Sequence, residues 1–164
     1  MFLLKLLPAP LHRALYRLAH FARRQVWRLR RPAVKGVRVL AFDSQGRVLL
    51  VRHSYGSDKW MPSGGGIKAG EDPVPAAMRE LAEETGCTLT GARLVAVIDE
   101  DLHGASNEVH IVVGRTESVP RPDRREIVEA RFFAIDSLPE RMPRGLRGGI
   151  GEWIAAWQAY SSES

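Results

Sequence analysis

One cysteine in 164 residues, Cys87, excludes an internal disulfide, and no Cys/His spacing of the zinc type appears among five scattered histidines. Such cysteine usage suits a reducing cytoplasm, which is where we expect the protein. Long apolar runs are missing as well. Residues 1–7 are interrupted by Lys5 and closed by Pro8, too short to span a bilayer and without the cleavage site of a secretory leader. We therefore expect neither a transmembrane helix nor a signal peptide. Internal repeats and low-complexity tracts are also lacking. Acidic residues are absent from residues 1–35, which hold nine Lys or Arg. Residues 36–164 then carry 15 basic against 19 acidic side chains, so the formal net charge of +5 belongs to the N-terminal arm. The chain divides into a basic arm, 1–35, and one globular domain, 36–164, whose apolar content suffices for a single core.

What is present is concentrated in residues 63–87, which read SGGGIKAGEDPVPAAMRELAEETGC. Asp72 in capping position, Pro73 where a missing N–H does no harm and Gly86 as a stop predict a helix over 73–85. On it Glu80, Glu83 and Glu84 stand three and four apart, so their carboxylates share a side and repel unless a cation intervenes. Val74, Ala77, Met78 and Leu81 form the expected buried stripe. Upstream, Gly64, Gly65, Gly66 and Gly70 allow backbone to approach an ion or phosphate. A solvated acidic helix after a flexible loop is the competing reading.

The spacing decides between them. Gly65, Glu71, Arg79, Glu80, Leu81, Glu83, Glu84 and Gly86 resemble, position by position, the signature of the Nudix hydrolase family. Only Cys87 departs, standing where an aliphatic residue is usual, and a small buried thiol packs much like one. The resemblance implies an α/β/α sandwich with a mixed sheet over residues 37–160. It also implies Mg²⁺, with Mn²⁺ as a substitute. Glu80 and Glu84 would be the direct ligands, Glu83 a ligand directly or through water, and a carbonyl near Gly64 a further one. Arg79 and Glu71 resemble the pair that fixes the loop against the helix. The general base would be Glu83 or Glu126, with Glu100 a weaker third. Lys68 stands where many relatives have an acid and Ser63 where proline is frequent.

The implied reaction is hydrolysis of a diphosphate bond in a nucleoside diphosphate derivative by water attack on phosphorus. ADP-ribose or a nucleotide sugar and a nucleoside triphosphate are equal candidates, and the basic arm adds capped RNA. A non-catalytic module that binds a nucleotide or a partner is the alternative. On the substrate side, Arg52, His53 and Lys59 are placed to reach phosphate beside Gly65 and Gly66, although exposed cations are common. Trp60, His103 and His110 read more readily as core, and Glu126 and Glu129 as a solvated turn.

The arm has its own pattern. Over residues 10–31, Leu11, Leu15, Leu18, Ala22, Val26 and Leu29 form one helical stripe; Arg13, Arg17, His20, Arg24, Arg28 and Arg31 fall on roughly the opposite face. Three destinations follow from such a basic amphipathic helix. Its stripe packs on the domain or on the mate in a homodimer; it lies on an anionic membrane surface, putting the protein at the inner face of the membrane with Phe2, Phe21 and Trp27 near the acyl boundary; or it binds RNA. Elsewhere we expect strands at 37–42, 47–52, 92–98, 109–116 and 131–135, a hairpin turn at 43–46, an acidic loop at 99–101 and a turn at 104–107. A closing helix at 151–160 should point Trp153, Ile154 and Trp157 inward.

Overall fold

The computed structural model describes residues 34–55, 57–102 and 105–162. The N-terminal amphipathic helix and His103 lie outside the described residues. Seven strands form one mixed sheet: β1 (Val34–Phe42), β2 (Val48–His53), β3 (Trp60–Met61), β4 (Ser63–Gly66), β5 (Thr90–Leu102), β6 (Ala105–Arg115) and β7 (Ile127–Phe133). Their order is β3-β2-β1-β6-β5, with β4 paired to β1 and β7 to β2. Only β1 and β6 run parallel; the other pairings are antiparallel. Two helices, α1 (Pro73–Thr85) and α2 (Leu146–Ser162), pack on opposite faces.

The alternation of β1 explains the two layers. Val37, Val39 and Ala41 point into one core with Leu49, Val112, Ala77 and Leu81 of α1. Leu40 and Phe42 point into the other with Leu50, Ile111, Val113 and Trp153 and Trp157 of α2. Both faces of the central strands are thus buried, as the continuous apolar runs require. The result is the expected mixed sheet between helices.

Helix α1 has the expected limits, and its ends are made by backbone. Gly86 adopts φ 69° and its N–H donates to the Ala82 carbonyl, a left-handed cap that a side chain would strain. Asp72 occupies the N-cap position, yet its side chain makes no capping hydrogen bond. The buried stripe also differs from expectation: Ala76, Ala77, Leu81, Glu84 and Thr85 are buried, whereas Met78 is 42% exposed. The helix is rotated toward β4, bringing Glu84 inward and carrying Met78 out.

Three other expectations are corrected. The acidic residues Asp99–Asp101 lie within β5, because that long edge strand pairs with β6 as far as Leu102 opposite Ala105. Arg38 neutralises Glu100 through two hydrogen bonds of 2.8 and 3.1 Å, so an acid is tolerated there. Strand β7 starts at Ile127, which is fully buried, and ends before a 3-10 turn at Ile135–Ser137. Finally, α2 begins at Leu146, and one of its early glycines serves packing: a side chain at Gly149 would come within 3.0 Å of the Trp153 ring.

Candidate functional site

The site is built where α1 crosses β4. Strand β4 lies antiparallel to β1 with Ser63 opposite Val39, Gly64 opposite Arg38 and Gly65 opposite Val37. Two glycines are needed for contact. A Cβ on Gly64 would fall 2.2 Å from the Val37 carbonyl oxygen, and one on Gly65 would fall 2.4 Å from the carboxyl carbon of Glu80. The missing side chains therefore let β4 close on β1 and let the Glu80 carboxylate rest on the loop backbone.

Arg79 ties the loop to the helix. Its Nε and Nη2 donate to the two oxygens of Glu71 at 2.8 Å each, its Nη2 to the Gly66 carbonyl at 3.1 Å, and its Nη1 to Glu80 Oε1 at 2.6 Å. Glu83 Oε2 stands 3.8 Å away from the same guanidinium. A planar fork with five donors suits this task, and a lysine could not span it. The Arg79 hydrogen bonds, with the Lys68 backbone N–H behind them, hold the Glu71 carboxyl down at about 2. Arg79 itself is raised by Glu71 and Glu80, against its burial.

This pair makes a prediction about acid stability. A carboxylate depressed from 4.5 to about 2 contributes stability that is complete above pH 4.5 and lost as pH falls toward 2. Glu71→Gln should therefore have a lower urea midpoint than the parent at pH 7, with the gap closing across that window. A gap independent of pH, measured in chelator, would contradict the pairing.

Glu80 and Glu84 are held differently. Burial pushes the Glu80 carboxyl up, and Glu84 and Glu83 push it further, although Arg79 opposes them. The nearby cation is insufficient. Glu84 is buried, accepting a 2.6 Å hydrogen bond from Ser63 Oγ and a 3.3 Å one from the Gly64 N–H, while His53 Nε2 lies 3.6 Å from its other oxygen. Ser63, where the resemblance leads one to expect proline, is thus a working part of the site. Lys68 contributes its backbone N–H to Glu71.

Glu126 enters from the other side. Asp123 N–H donates to the Glu84 carbonyl at 3.2 Å, and the Asp123 side chain accepts from the N–H groups of Glu126 and Ile127. Arg124 sits between at φ 57°, the one non-glycine residue in that region among the described residues. Ser54 N–H closes on the Glu126 carbonyl at 2.7 Å. The Tyr55 hydroxyl is 3.5 Å from Glu126 Oε2, and the Tyr55 ring stands edge-on to His53 with centroids 5.4 Å apart. His53 and Tyr55, in ring contact with each other, thus stand between Glu84 and Glu126. Sequence reasoning missed Tyr55 and the role of Ser63, because neither hydroxyl shows any pattern until the strands are paired.

The remaining candidates lie apart. Arg52 points to the α2 side of the sheet, in an ion pair with Glu129, its opposite residue on β7; its Nε is buried without a partner among the described residues. Glu100 is taken by Arg38. Lys59 is half-buried just before β3. Trp60 packs edge-on against Phe133 at 4.9 Å.

Among the described residues no three carboxylate, histidine or cysteine side chains form a ready-made metal cluster. The donor set nonetheless fits a hard divalent cation. Its donors are oxygens, it clusters Glu80, Glu83 and Glu84 on one helix, and the Glu80 carboxyl, pushed up by burial and by its acidic neighbours, is the group an added cation would relieve.

A family model for the NUDIX domain matches residues 32–156. The chain is 30% identical over 97 residues to an oxidized purine nucleoside triphosphate hydrolase of Danio rerio, a match covering 57% of this chain and 62% of that protein. It is 32% identical over 126 residues to an ADP-ribose pyrophosphatase of Mycobacterium tuberculosis, covering 73% of this chain and 60% of the other. With an RNA pyrophosphohydrolase of Novosphingobium aromaticivorans it shares 43% over 77 residues, 46% of this chain and 43% of the relative. The chain thus spans less than two-thirds of the length of these curated relatives. In solved structures, the MutT protein from Methanosarcina mazei Go1 superposes with a TM-score of 0.68 at 21% identity, covering 77% of this chain and 96% of that one. A UDP-X diphosphatase does so with 0.66 at 27%, covering 79% and 64%.

Proposed function

This chain belongs to the Nudix family, and from that premise we propose that it is a magnesium-dependent hydrolase that cleaves a diphosphate bond in a nucleoside diphosphate derivative. The observation that carries the reading is the Glu80 carboxyl, packed on a glycine backbone and left short of positive charge beside Glu83 and Glu84. Mg²⁺ would be held by Glu80 and Glu84, by Glu83 directly or through water, and by a carbonyl near Gly64; bound there, it supplies charge neutralisation for phosphate oxygens and acidifies water.

The chain's own groups do the rest. Arg79 keeps loop and helix in one register, so the carboxylates are set before substrate arrives. Ser63 and the Gly64 N–H hold one oxygen of Glu84 in place. The placement of Glu126 beside Tyr55, which packs on the His53 facing Glu84, supports Glu126 as the base that takes the proton from the attacking water, with Glu83, 63% exposed, as the alternative. Losing a general base costs about 10²- to 10⁴-fold. Glu126→Gln should therefore lower kcat by about that factor with KM little changed; a larger loss in Glu83→Gln would transfer the role.

The relatives divide over substrate: one is named for an oxidized purine triphosphate, others for ADP-ribose and for RNA. The deciding experiment is product analysis by phosphorus NMR on ADP-ribose, a UDP-sugar, nucleoside triphosphates and 5′-triphosphorylated RNA, each with Mg²⁺ or Mn²⁺. We expect turnover of at least one nucleotide of the first three kinds. Nucleotide binding without turnover of any would establish the non-catalytic module instead.

A further inference from the structure

The described residues have four exposed large hydrophobic side chains, Met78, Leu94, Val97 and Val119. Three of them share one side of the sheet. Leu94 stands opposite Val112, a member of the α1-side core, and Val97 opposite His110, two residues along β6 on the same face. Met78 lies on the flank of α1 turned away from Glu80. Between that flank and the edge strand β5 the sheet is therefore left open, with Leu94 41% and Val97 52% exposed. His110, on the same side, is largely buried, with Nε2 3.4 Å from Glu108 and Nδ1 without a hydrogen-bond partner among the described residues. Such an apolar face on an edge strand invites a cover.

We propose that this face is covered by residues 10–31 of the same chain, with the stripe Leu11, Leu15, Leu18, Ala22, Val26 and Leu29 laid on Leu94, Val97 and Met78. Two observations select this occupant. The first is position: Val34 opens β1 opposite Asn107, which pairs on its other side with Glu100 of β5, so the arm joins the sheet beside the open face. Pro32 supplies the break that lets the chain turn back.

The second is length. As a helix, 22 residues span about 33 Å at 1.5 Å each, and a strand of 13 residues such as β5 spans about 43 Å, so the stripe fits along it.

Disulfide trapping in the full chain tests the assignment, since Cys87 is the sole native thiol and is buried. Val97→Cys would be combined in turn with Leu15→Cys, Leu18→Cys and Ala22→Cys, and separately with His20→Cys on the polar face. A disulfide needs Cβ atoms about 4 Å apart, so at least one stripe pairing should give a monomeric cross-link about tenfold more abundant than the His20→Cys pairing or a Val119→Cys pairing. Equal trapping in all pairings, none in the three stripe pairings, or trapping only between chains would overturn the proposal. Reduction of the cross-link should leave the full chain's co-sedimentation with phosphatidylserine vesicles unchanged; an increase on reduction would reassign the stripe to the membrane surface.

Discussion

Glu84→Gln should lower kcat/KM for the chain's preferred nucleotide by about 10³-fold, a loss of roughly 4 kcal/mol of transition-state stabilisation. The amide keeps an oxygen for Ser63 Oγ and the Gly64 N–H, both of which now donate to Oε2, so the fold should survive with a nearly unchanged urea midpoint. What is lost is the negative charge, in a buried position where its electrostatic effect is little screened. Added Mg²⁺ should shift the parent's thermal midpoint upward and the variant's much less, by the linkage of a ligand that binds only the folded state. Full activity in Glu84→Gln would remove the site from α1 altogether, whatever the substrate.

The second large effect separates two adjacent glycines. Gly64→Ala places a Cβ against the Val37 carbonyl oxygen, a backbone atom fixed by the β1 to β4 pairing, so the strand must be pushed out. We expect destabilisation of about 3 kcal/mol or more, in the range of strained or overpacked core positions. Gly65→Ala meets only the Glu80 carboxylate, the far end of a side chain that can swing away. That variant should fold with almost the parent's midpoint, yet bind Mg²⁺ about 10- to 100-fold more weakly, the usual cost of disturbing ligand orientation. Chemical denaturation and metal titration on both proteins give the answer. Equal stability losses would mean that Glu80 does not rest on the loop.

Much of α1 was legible without coordinates because its determinants are local. Pro73, Gly86 and the three- and four-residue spacing of Glu80, Glu83 and Glu84 act within one helix, so the limits at residues 73 and 85 hold. The Glu71–Arg79 pair, inferred from resemblance, forms in the structure with two hydrogen bonds. Misjudgements fall where partners are distant in sequence. Periodicity alone places Met78 in the core, but a helix covers only the width of sheet beneath it, and β5 extends beyond. Asp99–Asp101 read as a loop because acids are poor strand formers, yet Arg38, sixty-two residues away, neutralises Glu100 within the strand. Arg52 and His53 read as a pair of phosphate candidates because both end a strand beside the glycine loop. In a strand, adjacency means opposite faces, and only His53 reaches Glu84.

By itself, then, the chain's sequence determined the family signature, the helix that carries the carboxylates and the segregation of positive charge into residues 1–35, since each depends on composition or on spacing within one element. Tertiary structure alone decided that Ser63 and Gly64 hold Glu84, that Tyr55 and Asp123 bring Glu126 toward it, and that Leu94 and Val97 lie bare beside α1. Those facts depend on strand register across tens of residues, where a shift of one position would turn every side chain to the other face.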